Sequence, residues 1–568
     1  MRFLGNVLAT VIGIFVFMML SFFGIILIGV IFGGDSETVE VENNSVIELN
    51  LSDISDDYAG KYSDPWVTAF SERKKIGLTD VINAIEIAET DDAIKGISIL
   101  NTNSSLGMAQ SKELRDALNR FKKSGKFIYS YANSYSQKEY YLNSVANSIY
   151  INPIGELDFK GLSTEVMFFK DFQEKSGLKM EVIRHGKYKS AVEPFLENKM
   201  SDANKEQTMA LLNGIWTNIV EDISKSRNIP VEKLNTIANG LLARTPEMAK
   251  AQNLIDYIAY EDVYHNAIRK LLKVDKDEDY NTVSIADYTQ KTTTTSVNMD
   301  SNDAIAIVYA QGEIGSGEGD VNEIGEGSMR RSLQEARKDD DIKAIVLRIN
   351  SPGGSALTSD LIWREIELTK RVKPVVVSMG NYAASGGYYI ACNANTIFAE
   401  KNTITGSIGV FGTLPNFSVA ANRYGINTEQ VRTHENASNY SPFVPMDEKF
   451  KAITLEGVEN IYATFIGHVA EGRKMTTAQV DAIGQGRVWT GSEAVKIGLV
   501  DKIGGLREAI AEAAKLAKIK SYSTVNYSEY EKNFEDIFAN FPNKKKKTAF
   551  IKEEIGEENY RIMQEIKK

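Results

Sequence analysis

The sequence predicts an α/β protein of two tandem repeats, each with a parallel β-sheet and crossover helices, preceded by one transmembrane helix. Three observations predict this architecture: an N-terminal stretch without charge, an internal duplication, and short apolar runs that alternate with helical stretches. Apolar strands separated by helices are typical of parallel sheets, because parallel neighbours need a crossover connection. A chain of 568 residues also exceeds one ordinary domain.

The first element is the N-terminal stretch, because residues 7–34 contain no charged side chain. It exceeds the roughly 20 residues that span a bilayer as a helix, and the core of a cleaved signal peptide has only about 7–15. We therefore predict an uncleaved anchor over residues 1–34, with a long cleaved signal as the alternative. Arg2 precedes the uncharged stretch, and Asp35 and Glu37 follow it. The positive-inside rule then predicts that the rest of the chain is exported.

The second observation is a duplication at a nearly constant offset. The stretch "DDAIKGISILN" begins at Asp91, and "DDDIKAIVLRIN" begins at Asp339, 248 positions later. The stretch "SQKEYYLNSVANSIYI" begins at Ser136, and "ASGGYYIACNANTIFA" begins at Ala384, at the same offset. A repeat of this length indicates two domains of one fold rather than a short-period solenoid.

Domain boundaries follow from the duplication and from composition. The first repeat is expected over residues 45–287 and the second over 304–520. Between them, the polar stretch "YTQKTTTTSVNMDSND" (residues 288–303) predicts a linker. Residues 521–568 are more polar and carry four successive lysines at 544–547, so they predict a solvated C-terminal tail.

Within the second repeat, the pattern predicts a strand–helix–strand unit. The runs "AIVLRI" (344–349) and "PVVVSM" (374–379) are apolar and β-branched, which is typical of buried strands. The stretch "TSDLIWREIELTKR" (358–371) between them has helical spacing. The unit places the ends of two parallel strands beside each other, each followed by a glycine-rich motif.

Three motifs in the second repeat are candidates for chemistry. The stretch "INSPGGS" (349–355) is either an ordinary turn or a turn that presents backbone N–H groups to an oxyanion. Ser385 in "SMGNYAASGGYYIA" follows a predicted strand, which suits either a helix cap or a nucleophile elbow. Ser407 in "TGSIGVFG" is a turn residue on local sequence alone.

A serine nucleophile needs a base, and the chain has only four histidines, with His434 closest to Ser385 in sequence. The alignment of the repeats offers a lysine instead. Lys189 of the first repeat falls opposite Ala437, whereas Ser385 of the second falls opposite Gln137. Each half has what the other lacks, as expected of a Ser/Lys site divided between the repeats.

Lys189 can act as a base only if its environment lowers its pKa, which is about 10.4 for a free lysine. Burial at the junction of two domains has that effect. The alternative is an exposed lysine without a catalytic role, which is the ordinary state of this residue type.

Five motifs together resemble a known family. They are "GKYKSAVEPF", "INSPGGS", "SMGNYAASGGYYIA", "TGSIGVFG" and "GRVWTGSEAVKIGLVD", in this order. The chain resembles the long, two-repeat form of the bacterial signal peptide peptidase A (protease IV) family over about residues 45–520 and in its N-terminal anchor. The resemblance implies a serine endopeptidase anchored in the inner membrane, with its catalytic domains on the periplasmic side. Its fold is expected to be similar to the Clp protease subunit and the crotonases, and its substrates to be released signal peptides.

The resemblance also implies residue roles and an assembly. Ser385 is expected to be the nucleophile, Lys189 the general base, and Ser407 the residue that orients the lysine. The backbone amides of Gly354 and Gly386 are expected to form the oxyanion hole. The family implies a bowl-shaped homotetramer, and neither a metal nor a cofactor is expected.

Two other functions remain open from the sequence: a crotonase-type acyl-CoA enzyme and a non-catalytic membrane scaffold. The crotonase would share the sheet and the oxyanion turn but would need neither Ser385 nor Lys189. The formal net charge of −11 argues against nucleic acid as the main partner. Cys392, the single cysteine, cannot form an internal disulfide, and with only four histidines it offers no zinc cluster.

Overall fold

The computed structural model describes residues 40–62, 76–100, 104–296, 302–434, 436–437 and 440–530, together with a few positions between 13 and 20. The predicted anchor over residues 1–34 lies outside the described residues except at those few positions, so it stays a prediction. In the described part of the chain, no helix has the length and apolar character needed to cross a bilayer.

The first repeat is built on a six-stranded sheet in which all neighbouring strands are parallel, in the order β7-β5-β4-β3-β1-β8. Its strands, with the short β2 and β6 outside this sheet, are β1 (Ser45–Asn50), β2 (Lys61–Tyr62), β3 (Ile94–Leu100), β4 (Phe127–Ala132), β5 (Ser148–Ile151), β6 (Lys179–His185), β7 (Tyr257–Ile258) and β8 (Thr282–Ser284). Its helices are α1 (Leu78–Ala88), α2 (Met108–Lys123), α3 (Gln137–Asn143), α4 (Lys170–Ser176), α5 (Asp202–Arg227), α6 (Val231–Asn239), α7 (Pro246–Ala251), α8 (Glu261–Leu272) and α9 (Ile285–Ser296).

The second repeat is built on an eight-stranded sheet, in the order β18-β16-β14-β13-β9-β20, with β15 paired to β14 and to β19. Its strands are β9 (Ala304–Gln311), β10 (Glu313–Ile314), β11 (Gly319–Asp320), β12 (Glu323–Ile324), β13 (Ile342–Ser351), β14 (Val375–Ala384), β15 (Thr396–Ala399), β16 (Ile404–Gly406), β17 (Val410–Asn416), β18 (Val488–Thr490), β19 (Lys502–Ile503), β20 (Ser523–Asn526) and β21 (Glu529–Tyr530). Its helices are α10 (Glu326–Lys338), α11 (Ala356–Lys370), α12 (Gly386–Ala391), α13 (Ser418–Arg423), α14 (Glu448–Arg473), α15 (Thr477–Ile483), α16 (Gly491–Lys496) and α17 (Leu506–Ala517).

The predicted strand–helix–strand unit is confirmed as β13, α11 and β14, with β13 and β14 parallel. Both strands are nearly continuous apolar runs because helices or loops cover both faces of the sheet. Helix α11 begins where the Ser355 side chain accepts the backbone N–H of Thr358. Strand β14 extends to Ala384, five residues beyond the predicted end, so Ser385 follows the strand directly.

Strands from both repeats pair with each other outside the two main sheets. Strand β6 of the first repeat runs antiparallel to β17 of the second, from His185 opposite Val410 to Lys179 opposite Asn416. Strand β2 also pairs with β21, near the last described residue. The pairing of β6 with β17 brings the segment after β6, which carries Lys189, to the second repeat.

The predicted linker over 288–303 is wrong for its first nine residues, because α9 continues to Ser296. Tyr288 is fully buried in the first-repeat core, and its hydroxyl donates to Asp91. Thr289 and Thr292 are also buried. Their hydroxyls donate to backbone carbonyls within the helix, which is how a polar segment can pack against a core.

The predicted tail also begins too early at residue 521. Strand β20 joins the edge of the second sheet beside β9, and Tyr530 is buried in an apolar cluster with Tyr58. An exposed edge strand carries unpaired backbone groups, and β20 satisfies those of β9. The second repeat therefore extends at least to Tyr530, and the residues after it lie outside the description.

Candidate active site

Ser385 lies at the turn between β14 and α12. Its backbone has φ 55° and ψ −118°, a conformation that non-glycine residues rarely adopt. The turn is held on both sides, because Ser385 donates its N–H to the carbonyl of Gly406 and accepts the N–H of Tyr389. The side chain makes no capping hydrogen bond to α12. The geometry therefore favours the strained turn of a nucleophile elbow over a helix cap.

Lys189 lies in the segment that follows β6, and only 4% of its surface is exposed. Its Nζ lies 3.1 Å from Ser385 Oγ, although the two residues belong to different repeats. Among the described residues no carboxylate pairs with the ammonium, and the Phe411 ring lies 5.7 Å from it. Burial lowers the pKa of Lys189 from 10.5 to about 8.

Ser407 is the third member of the cluster. Its Oγ lies 2.9 Å and its carbonyl oxygen 3.0 Å from Lys189 Nζ. Ser407 has a positive φ of 52°, and its N–H donates to the carbonyl of Arg487. The turn after β16 therefore directs both oxygens of one residue at the lysine.

Gly354 and Gly386 border the same space beside Ser385. Gly353 and Gly354 have φ values of 107° and 153°, which glycine adopts without strain. The turn is fixed by Ile314, which donates its N–H to Gly353 and accepts that of Ser355. A Cβ on Gly386 would lie only 3.2 Å from the Gly354 nitrogen, so the two amides are neighbours. Neither N–H donates to any other described residue, which leaves both available to an oxyanion.

These groups line one cleft of about 860 Å³ between the repeats. One wall is apolar and is formed by Val458, Ile461 and Phe465 of α14 together with Tyr389 of α12. No motif in the sequence predicted this wall. The signal was available, because Val458, Ile461 and Phe465 are spaced i, i+3 and i+7 and so share one helix face.

The structure thus brings all five predicted site residues to one cleft: Lys189, Gly354, Ser385, Gly386 and Ser407. Four come from three loops of the second repeat, after β13, β14 and β16, and one, Lys189, comes from the first repeat. A buried amine of lowered pKa, a hydroxyl within hydrogen-bond distance and two amides at one point can together carry out nucleophilic acyl transfer.

Comparison with known proteins identifies the family. The model of Peptidase family S49 matches residues 120–275 and 367–520, one segment in each repeat. Protease 4 of Haemophilus influenzae is 35% identical over 510 residues, which cover 87% of this chain and 82% of that protein. The chloroplastic serine protease SPPA of Arabidopsis thaliana is 33% identical over 511 residues, covering 88% of this chain and 73% of that protein.

A solved ClpP1 mutant from Listeria monocytogenes matches 39% of this chain and 98% of its own, with 18% identity. Its TM-score of 0.25 is too low to establish a shared fold, so the expected likeness to the Clp subunit stays a prediction. The family model, in contrast, matches both repeats, and the two proteases align over most of their own length. The chain therefore belongs to Peptidase family S49 and is a serine peptidase.

Proposed function

We propose that this chain is a membrane-anchored serine endopeptidase that uses a Ser385/Lys189 dyad to cleave released signal peptides and similar apolar peptides. The observation that carries the proposal is the 3.1 Å approach of Lys189 Nζ to Ser385 Oγ across the two repeats. The two residues are 196 positions apart and meet in a cleft where the lysine pKa is about 8.

The contacts of Lys189 Nζ fit a neutral amine acting as base. A neutral amine has two N–H groups and one lone pair. The N–H groups donate to Ser407 Oγ and to the Ser407 carbonyl, which leaves the lone pair for the Ser385 hydroxyl. Ser407 thus orients the lone pair toward the nucleophile, the role that the family resemblance implies.

The reaction proceeds by acyl transfer. Lys189 takes the Ser385 proton as Ser385 Oγ attacks the peptide carbonyl carbon, and the resulting oxyanion accepts the N–H groups of Gly354 and Gly386. Lys189 then gives the proton to the leaving amine, and the peptide C–N bond breaks. Water attacks the acyl-enzyme with Lys189 again as base, which releases the peptide acid and restores Ser385.

The proposed substrates are supported by the apolar wall of the cleft. Val458, Ile461 and Phe465 offer contacts to an apolar side chain beside Ser385. Signal peptides are apolar at their core. The uncharged stretch at residues 7–34 supports an anchor in the inner membrane, with the catalytic repeats on the periplasmic side.

A homotetramer is part of the proposal, and the duplication supports a head-to-tail arrangement. Strand β6 pairs with β17 within the chain. The first-repeat counterpart of β17 is residues 162–168, and the second-repeat counterpart of β6 is residues 427–433. Neither segment pairs with a strand in the described part of the chain, and Met167 and Val431 are 71% and 99% exposed. Pairing of 427–433 of one copy with 162–168 of the next would repeat the internal contact and close a ring.

Activity-based labelling tests the dyad. We expect a fluorophosphonate probe to label the wild type at Ser385, while Ser385→Ala is not labelled and Lys189→Ala is labelled far more slowly. Hydrolysis of a fluorogenic apolar peptide should follow the same ranking: fastest in the wild type, far slower in Lys189→Ala and absent in Ser385→Ala. Full activity of either variant would refute the dyad, and a wild type that neither reacts nor cleaves would favour the scaffold or the acyl-CoA enzyme.

A further inference from the structure

The motif "GRVWTG" has no role in the chemistry above, yet its first residues lie against the lysine. Residues 485–487, here called the clamp turn, precede β18. Tyr188 donates its N–H to the carbonyl of Gln485 at 2.8 Å. On the other side, Gly486 donates to the carbonyl of Ile408 and Ser407 donates to that of Arg487, both at 2.7 Å. One turn therefore binds the backbone beside the base and the backbone of the serine that orients it.

The clamp turn touches the lysine backbone without any intervening side chain. Gly486 has φ 79°, and a Cβ there would lie 2.6 Å from both the nitrogen and the Cβ of Lys189. Gly186 approaches from the opposite segment, where a Cβ would lie 2.5 Å from the Gln485 carbonyl oxygen. Gly409 meets Gly486 in the same way, at 2.8 Å from its Cα. Side chains at these positions would move the backbone that carries Lys189.

Arg487 adds a side-chain contact between the repeats. Its guanidinium lies 4.9 Å from the centre of the Tyr188 ring and 4.4 Å from that of Trp489. Its Nη1 also donates to Glu206 of α5 at 2.9 Å. Tyr188 immediately precedes Lys189, so stacking on both rings ties the lysine segment of the first repeat to β18 of the second.

We infer that the clamp turn is a positioning device that sets the place of Lys189 Nζ relative to Ser385 and Ser407, with Gly486 and Arg487 as its positioning residues. The inference rests on the proposed function, because it concerns the base of that reaction. Lysine has a flexible four-carbon stem, so a fixed Nζ requires a fixed backbone and a closed site. The base and the nucleophile come from different repeats. The clamp turn hydrogen-bonds the backbone beside the base, at Tyr188, and the backbone at Ser407 and Ile408 in the repeat that carries the nucleophile.

The first test is Gly486→Ala. Its Cβ displaces Lys189, and a misplaced catalytic group lowers kcat by roughly 10- to 100-fold with little change in KM. A displaced lysine is also less buried, so its pKa rises and the midpoint of the pH–rate profile moves above the wild-type value near 8. The rate of fluorophosphonate labelling against pH reports the same midpoint without a peptide substrate. Gly125→Ala is the control, because Gly125 has φ 91° and open space at its Cβ.

The second test avoids the crowded backbone. Arg487→Ala removes the stacking and the Glu206 contact, and we expect a lower kcat and a midpoint shifted in the same direction, with Arg487→Lys between it and the wild type. Arg244→Ala is the control for loss of an arginine, since its Nη1 bonds only locally to Leu241.

The outcomes separate the two proposals. A wild type whose activity does not depend on Lys189 refutes the dyad and with it the reason for a clamp. A Lys189-dependent wild type with an unmoved pH midpoint in both Gly486→Ala and Arg487→Ala overturns the positioning role alone. A lower thermal midpoint with reduced activity but an unshifted pH profile would mean that the turn only stabilises the fold.

Discussion

In the proposed mechanism, the protonation state of Lys189 decides whether Ser385 can react. Burial lowers the pKa of this lysine to about 8, and the base form predominates only above that value. We therefore expect kcat/KM to rise about tenfold for each pH unit below the pKa and to level off above about pH 8. The measurement is a pH–rate profile with a fluorogenic apolar peptide. A rate that is constant from pH 5 to 9 would contradict a lysine base.

The same burial affects stability, and the sign can be worked out. The lysine pKa is about 8 in the folded chain and near 10.5 when unfolded, so between these values the unfolded state binds more protons and stability rises with pH. Below pH 8 the folded chain bears the full free-energy cost of burying the protonated Lys189 amine, about 3 kcal/mol for a pKa difference of this size. We expect Lys189→Met to be inactive but at least as stable as the wild type at pH 7. The advantage should shrink toward pH 10.5 in urea unfolding. A variant clearly less stable at pH 7 would show that its lost hydrogen bonds outweigh the relief of burial.

Ser407 provides two of the three hydrogen-bond contacts that Lys189 Nζ makes among the described residues. Only the contact to Ser407 Oγ involves its side chain, because the other is to its backbone carbonyl. Ser407→Ala removes the Oγ contact and keeps the carbonyl. A hydrogen bond to a charged or developing charge contributes about 1.5–3 kcal/mol, so we expect kcat to fall roughly 10- to 100-fold. Steady-state kinetics at pH 9 check this, with Ser407→Thr as the conservative control. An unchanged kcat in Ser407→Ala would mean that the carbonyl alone orients the base.

At this scale the sequence predicted which residues meet but not how. The alignment of the repeats identified Lys189 and Ser385 because each lacked its counterpart in the other half. The positive φ of Ser385 and Ser407 could not be predicted, since neither is glycine and the surrounding turns impose the conformation. The lowered pKa of Lys189 needed the closed cleft, which depends on contacts between distant segments.

Among the elements, the turn after β13 supports the proposed oxyanion site. A Cβ on Gly354 would lie 2.1 Å from the Ile314 carbonyl oxygen, and its φ is 153°. Gly354→Ala should therefore displace the amide from the cleft. Loss of one oxyanion donor lowers kcat roughly 100- to 1000-fold. We expect Gly354→Ala to show this fall in kcat and a parallel fall in the rate of fluorophosphonate labelling at Ser385. The control variant is Gly125→Ala. Retention of more than a tenth of the wild-type kcat would exclude Gly354 as a donor.

The first repeat shows which residue lies at the position that corresponds to the proposed nucleophile. Gln137, the counterpart of Ser385, accepts the N–H groups of Lys160 and Gly161 and donates to the Gly161 carbonyl. Its amide thus occupies the turn that is open in the second repeat. Gln137→Ser in a Ser385→Ala background should gain no labelling, because Ala437, the sequence counterpart of Lys189, has no amine to act as a base. The lost hydrogen bonds should lower stability by about 1–3 kcal/mol in urea unfolding. New fluorophosphonate labelling at position 137 would contradict this.

The predictions of helices and strands succeeded where the periodicity of apolar residues matched the faces that are buried, as in β13, α11 and β14. They failed where polar composition was taken as solvent exposure. Helix α9 and strand β20 are polar, but both make contacts that their repeat needs. Tyr288 of α9 packs into the first-repeat core, and β20 pairs with the otherwise free edge of β9. Contacts of this kind, with segments distant in sequence, cannot be predicted from a short stretch of sequence.

In the whole molecule, the site exists only while the two repeats keep their relative position. One buried cluster of charged side chains joins the two repeats and helps to fix that position. Arg348 of β13 is 1% exposed and forms two hydrogen bonds to Asp57 and one to Glu113, both from the first repeat. Glu113 also accepts the backbone N–H of Leu506. Because removal of Asp57 takes away two of the three hydrogen bonds from the buried Arg348 guanidinium to carboxylates, the cluster couples the placement of the repeats to their stability.

This coupling gives a prediction for Asp57→Ala. Breaking a buried ion pair from one side destabilises by about 3–5 kcal/mol, whereas replacing both partners by apolar groups is often close to neutral. We expect Asp57→Ala to lose stability in that range and to lose peptidase activity at a lower urea concentration than the one that unfolds its helices. The reason is that Lys189 and Ser385 separate as soon as the repeats shift. Asp57→Ala with Arg348→Met and Glu113→Gln should recover most of the stability, because no member of the cluster is then left as a buried, unpaired charge. Lys160→Ala is the control, because its pair with Asp158 is exposed and should contribute less than about 1 kcal/mol. If Asp57→Ala and Lys160→Ala were equally mild, the cluster would not hold the repeats together, and other contacts between them, such as the β6–β17 pairing, would have to do so.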